Sequence, residues 1–136
     1  MNKMRLNTRV CIATLLMLLI SGSATFAASS PILTGKQASY RADMVRLAEV
    51  LGAVHLLRER CGGREGQMWR RKMLEMLDIE ASGKKERDML VNHFNKSYYA
   101  MRVNHSRCSL RTISEMNAYI DEGASLAGRL ARTANQ

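Results

Sequence analysis

The stretch CGGREGQMWRRKM, Cys61 to Met73, gathers many of the residues in this chain that could do chemistry. It holds a cysteine, a glycine pair, the only tryptophan and three consecutive cations. Trp69 beside Arg70 and Arg71 could hold a carboxylate or phosphate by stacking and paired hydrogen bonds. Core burial is the commoner fate of such an aromatic, and it leaves the cations solvated. Arg64, Arg70, Arg71 and Lys72 are the first choice for a basic face that meets an anionic partner. Glu65 offers a different chemistry. With a second acid from another segment it could hydrolyse a glycan, a reaction that sets two carboxylates about 5–10 Å apart. With Gln67, Asn95 and Tyr99 it could instead form a polar binding patch. A buried network that fixes helix register competes with that patch, because buried polar groups require partners.

Other catalytic patterns are missing. There is no G-x-S-x-G or S-x-x-K nucleophile motif. His55, His93 and His105 are the three histidines, and no H-x-x-x-H or H-E-x-x-H puts two ligands on one helix face. No metal or cofactor is expected. The methionines from Met44 to Met116 could form an adaptable groove or a soft copper(I) site, but their helical spacing reads as core filling.

The elements that must position these residues are helical. Tyr40, Met44, Leu47, Leu51, Val54 and Leu57 recur at three- and four-residue steps, which predicts one apolar face. Gly62 and Gly63 stop this helix, with Arg58 and Arg60 in its last turn. A second helix is expected over 65–80, with Trp69, Met73, Met76 and Leu77 inward. Ser82 and Gly83 mark a turn. A third helix over 84–103 presents Leu90, Phe94, Ser97, Tyr98 and Met101. A fourth over 110–132 presents Ile113, Met116, Ile120, Ala124, Ala127 and Leu130. Ser109 or Thr112 could cap it, with Glu115 completing a capping box for Thr112. No stretch alternates with period two. The pattern predicts an all-α protein, a small antiparallel four-helix bundle over 38–136.

What precedes that domain reads as an address. Lys3, Arg5 and Arg9 form a basic flank, Val10 to Ile20 an apolar run, and small residues lead to Ala27. This is a secretory signal peptide pattern over 1–27, and the run is short of the roughly 20 residues a bilayer span needs. Residues 28–37 read as a flexible linker. Cys11 opens the apolar run, so it is not placed as a lipidated cysteine. The remaining chain has no second long apolar run. It keeps 18 of 21 basic residues and all 12 acidic ones, a formal charge of +6. That charge favours lipid head groups, acidic glycans or acidic proteins, and export to the periplasm argues against nucleic acid.

Export leaves Cys61 and Cys108, which in an oxidising compartment read as one disulfide. The bridge would join the end of helix one to the start of helix four and enclose helices two and three. On the chain-entropy argument it contributes about 4 kcal/mol at most.

LAEVLGAVHLLRERCG, EGQMWRRKMLEML, FNKSYYAM and the cysteine in RCS together resemble a family of small exported alphaproteobacterial proteins with two well-separated cysteines. The likeness covers about residues 44–132. It implies export and a disulfide, and it implies no activity. The reading that results is a non-catalytic binding or adaptor protein of the cell envelope that docks on an acidic partner through a basic face. Its rivals are a cell-wall hydrolase using Glu65 and a structural or stress-related periplasmic protein.

Overall fold

The computed structural model describes residues 35–135. The signal-peptide pattern and the first seven residues of the expected linker lie outside them. The described chain is four α-helices: α1 Gly35–Arg60, α2 Met68–Glu80, α3 Lys84–Asn104 and α4 Leu110–Ala134. The helix starts differ from expectation at two places. α1 begins at Gly35, so positions 35–37 are helix and not linker. α2 begins at Met68 instead of Glu65, because Gly66 takes a left-handed φ of 54° that a helix interior does not accept.

α1 is the centre of the bundle. α2, α3 and α4 each pack against it. Every residue from Val50 to Leu57 is buried, including Gly52 and His55. The sequence predicts a single apolar stripe here. The structure dries all sides, because the segment between Glu49 and Arg58 carries no formally charged side chain and three helices surround it. A helix that is apolar all round belongs in the interior. Met44, Ala48 and Leu51 meet Met73 and Leu77 of α2, Leu90 and Phe94 of α3 and Leu130 of α4 in one cluster. Leu56 and Leu57 meet Met101 and Met116 in a second, nearer the other end.

Gly52 sets the α1–α3 distance. A Cβ there would lie 2.2 Å from the Phe94 carbonyl oxygen, so the two backbones touch where only hydrogen fits. α4 is tied in antiparallel register by two forked ion pairs. Arg129 holds Asp43 at 2.8 and 2.9 Å, and Arg46 holds Glu122 at 2.7 and 2.9 Å. Arg46 also reaches Glu49 at 3.1 Å, whose other oxygen lies 2.9 Å from His93 Nδ1. One guanidinium thus links α4 through α1 to α3.

These pairs shift the acids. The Arg129 hydrogen bonds hold Asp43 below the ordinary carboxylate value, against partial burial. Burial pushes Glu49 up, but the His93 and Arg46 hydrogen bonds together outweigh it and leave it lowered. Glu86 is lowered by the Ser82 hydroxyl and N–H, with a further contribution from Arg41. Tyr40 is pushed up to about 12, first by burial and then by its hydrogen bond to the Glu80 carboxylate.

The buried face of α4 keeps Met116 and Leu130 of the predicted stripe and departs from it elsewhere. Thr112, Met116, Leu126 and Leu130 are buried, while Ile113, Ala124 and Ala127 are exposed. Ser109 is the cap, accepting the Thr112 N–H at 3.1 Å; Thr112 lies inside the helix, and Glu115 turns to His105 and forms no capping box.

Two outcomes follow. Gly52→Ala gains about 1 kcal/mol in helix propensity yet forces α3 away; net destabilisation of roughly 1–3 kcal/mol is expected in urea unfolding. Acidification has a defined sign. Asp43, Glu49 and Glu86 are depressed in the fold, so their contribution is present above the unfolded carboxylate pKa of about 4 and is lost as pH falls through the folded values. The midpoint of chemical unfolding should therefore fall between about pH 5 and pH 3, and Asp43→Asn should flatten that fall.

Candidate functional site

Antiparallel packing brings four helix termini to one end of the molecule: the C-termini of α1 and α3 and the N-termini of α2 and α4. α1 closes there in a Schellman turn. Gly62 takes a φ of 74°, and the Gly63 N–H donates to the Arg58 carbonyl at 2.7 Å. Cys61, beside that turn, is joined to Cys108 by an S–S bond of 2.04 Å across a Cα separation of 4.9 Å. The bridge spans 47 positions of chain and holds the α3–α4 turn against the end of α1.

A hydrogen-bonded cluster lies beneath the turn. The buried His105 has Nδ1 3.3 Å from Thr112 Oγ1 and Nε2 3.2 Å from Glu115 Oε2. Ser109 Oγ lies 2.9 Å from Thr112 Oγ1. A hydroxyl, an imidazole and a carboxylate in series resemble a nucleophile relay. Both hydroxyls are otherwise engaged: Ser109 caps α4, and Thr112, 1 % exposed, donates to the Arg107 carbonyl. The cluster fixes the turn. The sequence pairs Thr112 with Glu115 by their spacing on α4, but His105 closes α3 and joins them only once the chain reverses.

The end is strongly basic. Residues 58–71 and 102–115 hold eight arginines against three carboxylates, a formal +5. The three carboxylates are engaged. Glu59 accepts the Tyr98 hydroxyl at 3.0 Å and lies 3.5 Å from the buried His55. Glu65 pairs with Arg58, and Glu115 with His105. Arg60, Arg64, Arg70, Arg71, Arg102, Arg107 and Arg111 are exposed and enter no ion pair among the described residues. The Tyr98 phenol is raised by burial and by Glu59, and Arg60 and Arg102 both oppose that rise, which places them around one group.

Of the residues singled out in sequence, Arg64, Arg70 and Arg71 belong to this end. Lys72 is exposed but spends its charge on Glu75 at 2.8 Å. Glu65, Gln67, Asn95 and Tyr99 do not form a network; no hydrogen bond joins any two of them among the described residues. Gln67 sits exposed at the α2 N-cap without a side-chain bond, Asn95 is half-buried, and Tyr99 is 57 % exposed with its ring edge-on to Tyr98 at 5.5 Å. A polar pocket of about 540 Å³ beside the α3–α4 turn is lined by His105, Arg107, Arg111 and Glu115; Glu65 is not part of it.

Two apolar features complete the surface. Leu47, Val50 and Val54 floor a groove of about 360 Å³ between Trp69 and Met76 of α2 and Ile120 and Ala124 of α4. Residues predicted as α4 core therefore line an open groove. The half-buried Trp69 forms its wall, with its indole N–H buried and unpartnered. At the basic end, Val103 is 82 % and Leu110 87 % exposed. Among the described residues no cluster of three or more His, Cys, Asp or Glu could hold a metal, and no helix is long and apolar enough to cross a membrane.

The chain belongs to a family described as proteins of unknown function, DUF2385, whose sequence model matches residues 39–133. No curated protein and no solved structure matches it. The bridge has a direct test. Alkylation of the non-reduced protein lacking residues 1–27 should add no mass, and alkylation after reduction should add two equivalents. Cys108→Ser should lower stability by up to about 4 kcal/mol.

Proposed function

We propose that the protein is an exported, non-catalytic binding module of the cell envelope that docks on an acidic partner through the arginine-rich end of its bundle. The observation that carries this reading is where the arginines stand relative to the helix dipoles. α2 and α4 have no acid in their first turns. They place Arg70, Arg71 and Arg111 there instead. A cation at a helix N-terminus opposes the macrodipole and costs about 0.3–1 kcal/mol. Seven exposed guanidinium groups at one end, none in an ion pair among the described residues, repel one another as well. Such charges destabilise the free protein and become favourable when an anion arrives.

The N-terminal pattern and the single disulfide support export to the periplasm, where the bond persists. The likeness to small exported alphaproteobacterial proteins with two separated cysteines points the same way. A hydrolase built on Glu65 needs a free carboxylate at an open cleft. Arg58 already pairs with that carboxylate, and its second oxygen is buried without a partner. This observation favours docking over hydrolysis.

Arg70→Glu with Arg71→Glu restores acids to the first turn of α2, so the fold should be kept. In-cell cross-linking of the tagged protein should then recover at least tenfold less of its partner than the wild type, on the order of 1 kcal/mol or more for each desolvated charge contact. Equal recovery would remove this face from the reading.

A further inference from the structure

The α3–α4 corner of the basic end joins arginines to exposed aliphatic side chains. Between residues 102 and 113 the chain carries Arg102, Val103, Arg107, Leu110, Arg111 and Ile113, all exposed. Val103 and Leu110, at 82 % and 87 %, are the two most exposed large apolar residues described. They stand at the end of one helix and the start of the next, on the turn that the disulfide ties down. Single exposed apolar residues are ordinary. Two that alternate along the chain with arginines outside any ion pair among the described residues, on a covalently held corner, combine the contacts of an interfacial membrane anchor, in which cations meet phosphates and aliphatic groups enter the acyl boundary.

Resting on the docking reading above, we infer that the acidic partner is a bilayer rich in anionic phospholipid, contacted by Arg107 and Arg111 with Val103 and Leu110 inserted. A soluble polyanion would satisfy the arginines and leave the two aliphatic groups without a role. A protein partner that buried them would also need a complementary patch of about 800 Å² on each side, whereas a fluid lipid surface needs none. Charge complementarity selects the anionic lipid. α1 to α4 supply no spanning helix, so the contact is peripheral.

The test uses the exported protein with its disulfide intact. Co-sedimentation is measured with vesicles of phosphatidylcholine mixed with phosphatidylglycerol, with vesicles of phosphatidylcholine alone, and with soluble polyglutamate. Binding to the mixed vesicles alone is expected, and it should fade as salt shortens the screening length. Arg107→Gln with Arg111→Gln should weaken it on the order of 25-fold, about fivefold per charge. Val103→Ser with Leu110→Ser should weaken vesicle binding several-fold and leave any polyglutamate binding unchanged. If the serine pair binds vesicles like wild type, or polyglutamate binds as tightly as vesicles, the lipid inference fails and docking on an acidic macromolecule stands. If neither the glutamine pair nor reversal of Arg70 and Arg71 changes binding to any of these, both readings fail.

Discussion

An eight-residue run in the first helix, Val50 to Leu57, must be removed from water on every side. Two helices cannot surround a third, so α2, α3 and α4 are all drawn onto α1, and contact with α1 is what most of the core consists of. Gly52 permits the closest of these approaches. The forked pairs Arg129–Asp43 and Arg46–Glu122 set the register of α4 but are half-solvated and contribute modestly. The apolar run supplies the drive and the ion pairs choose the alignment.

A central helix leaves its satellites imperfectly joined to one another. α2 and α4 stay far enough apart that the floor of α1 shows between them as an apolar groove. The disulfide compensates at the other weak junction. It ties the α3–α4 turn to the end of α1, and the His105, Thr112 and Glu115 cluster stiffens the same turn. A small domain with modest burial gains from such a staple. It also gains a rigid corner, and the arginines on that corner are held together at fixed positions.

The docking reading proposed above rests on the composition of this same end. Its carboxylates are engaged by internal partners, Ser109 is the α4 cap, and Thr112 donates to the Arg107 carbonyl. Among the described residues, what is left facing water is arginines outside any ion pair, with the exposed aliphatic groups Val103 and Leu110 beside them. Both cost stability in the isolated chain, and proteins commonly accept such costs at functional surfaces.

Much of the fold was legible in the sequence. Helical periodicity, the Gly62 stop and the Ser82–Gly83 turn are local signals, and the helices follow them. The cysteine pair and the net charge were also readable. The faces were less so. The stripe expected on α1 holds at Met44, Leu51, Val54 and Leu57, but from Val50 to Leu57 burial takes the entire circumference, which the uncharged run there already implied. The stripe expected on α4 held at Met116 and Leu130 and failed between them, because Ile120 and Ala124 are apolar enough for a core yet face a gap. The sequence reading grouped Arg64, Arg70, Arg71 and Lys72; it did not group Arg60, Arg102, Arg107 and Arg111 with them, it did not see Lys72 pair with Glu75, and the pairing of Glu65 with Arg58 was not foreseen. The sequence by itself determined which segments are helices and how much charge the chain carries, since both follow from neighbours within a few residues. Only the tertiary structure decided which arginines share an end, which acids are silenced and which apolar groups stay in water. Those depend on how three helices divide the surface of a fourth, and periodicity within one helix cannot report that.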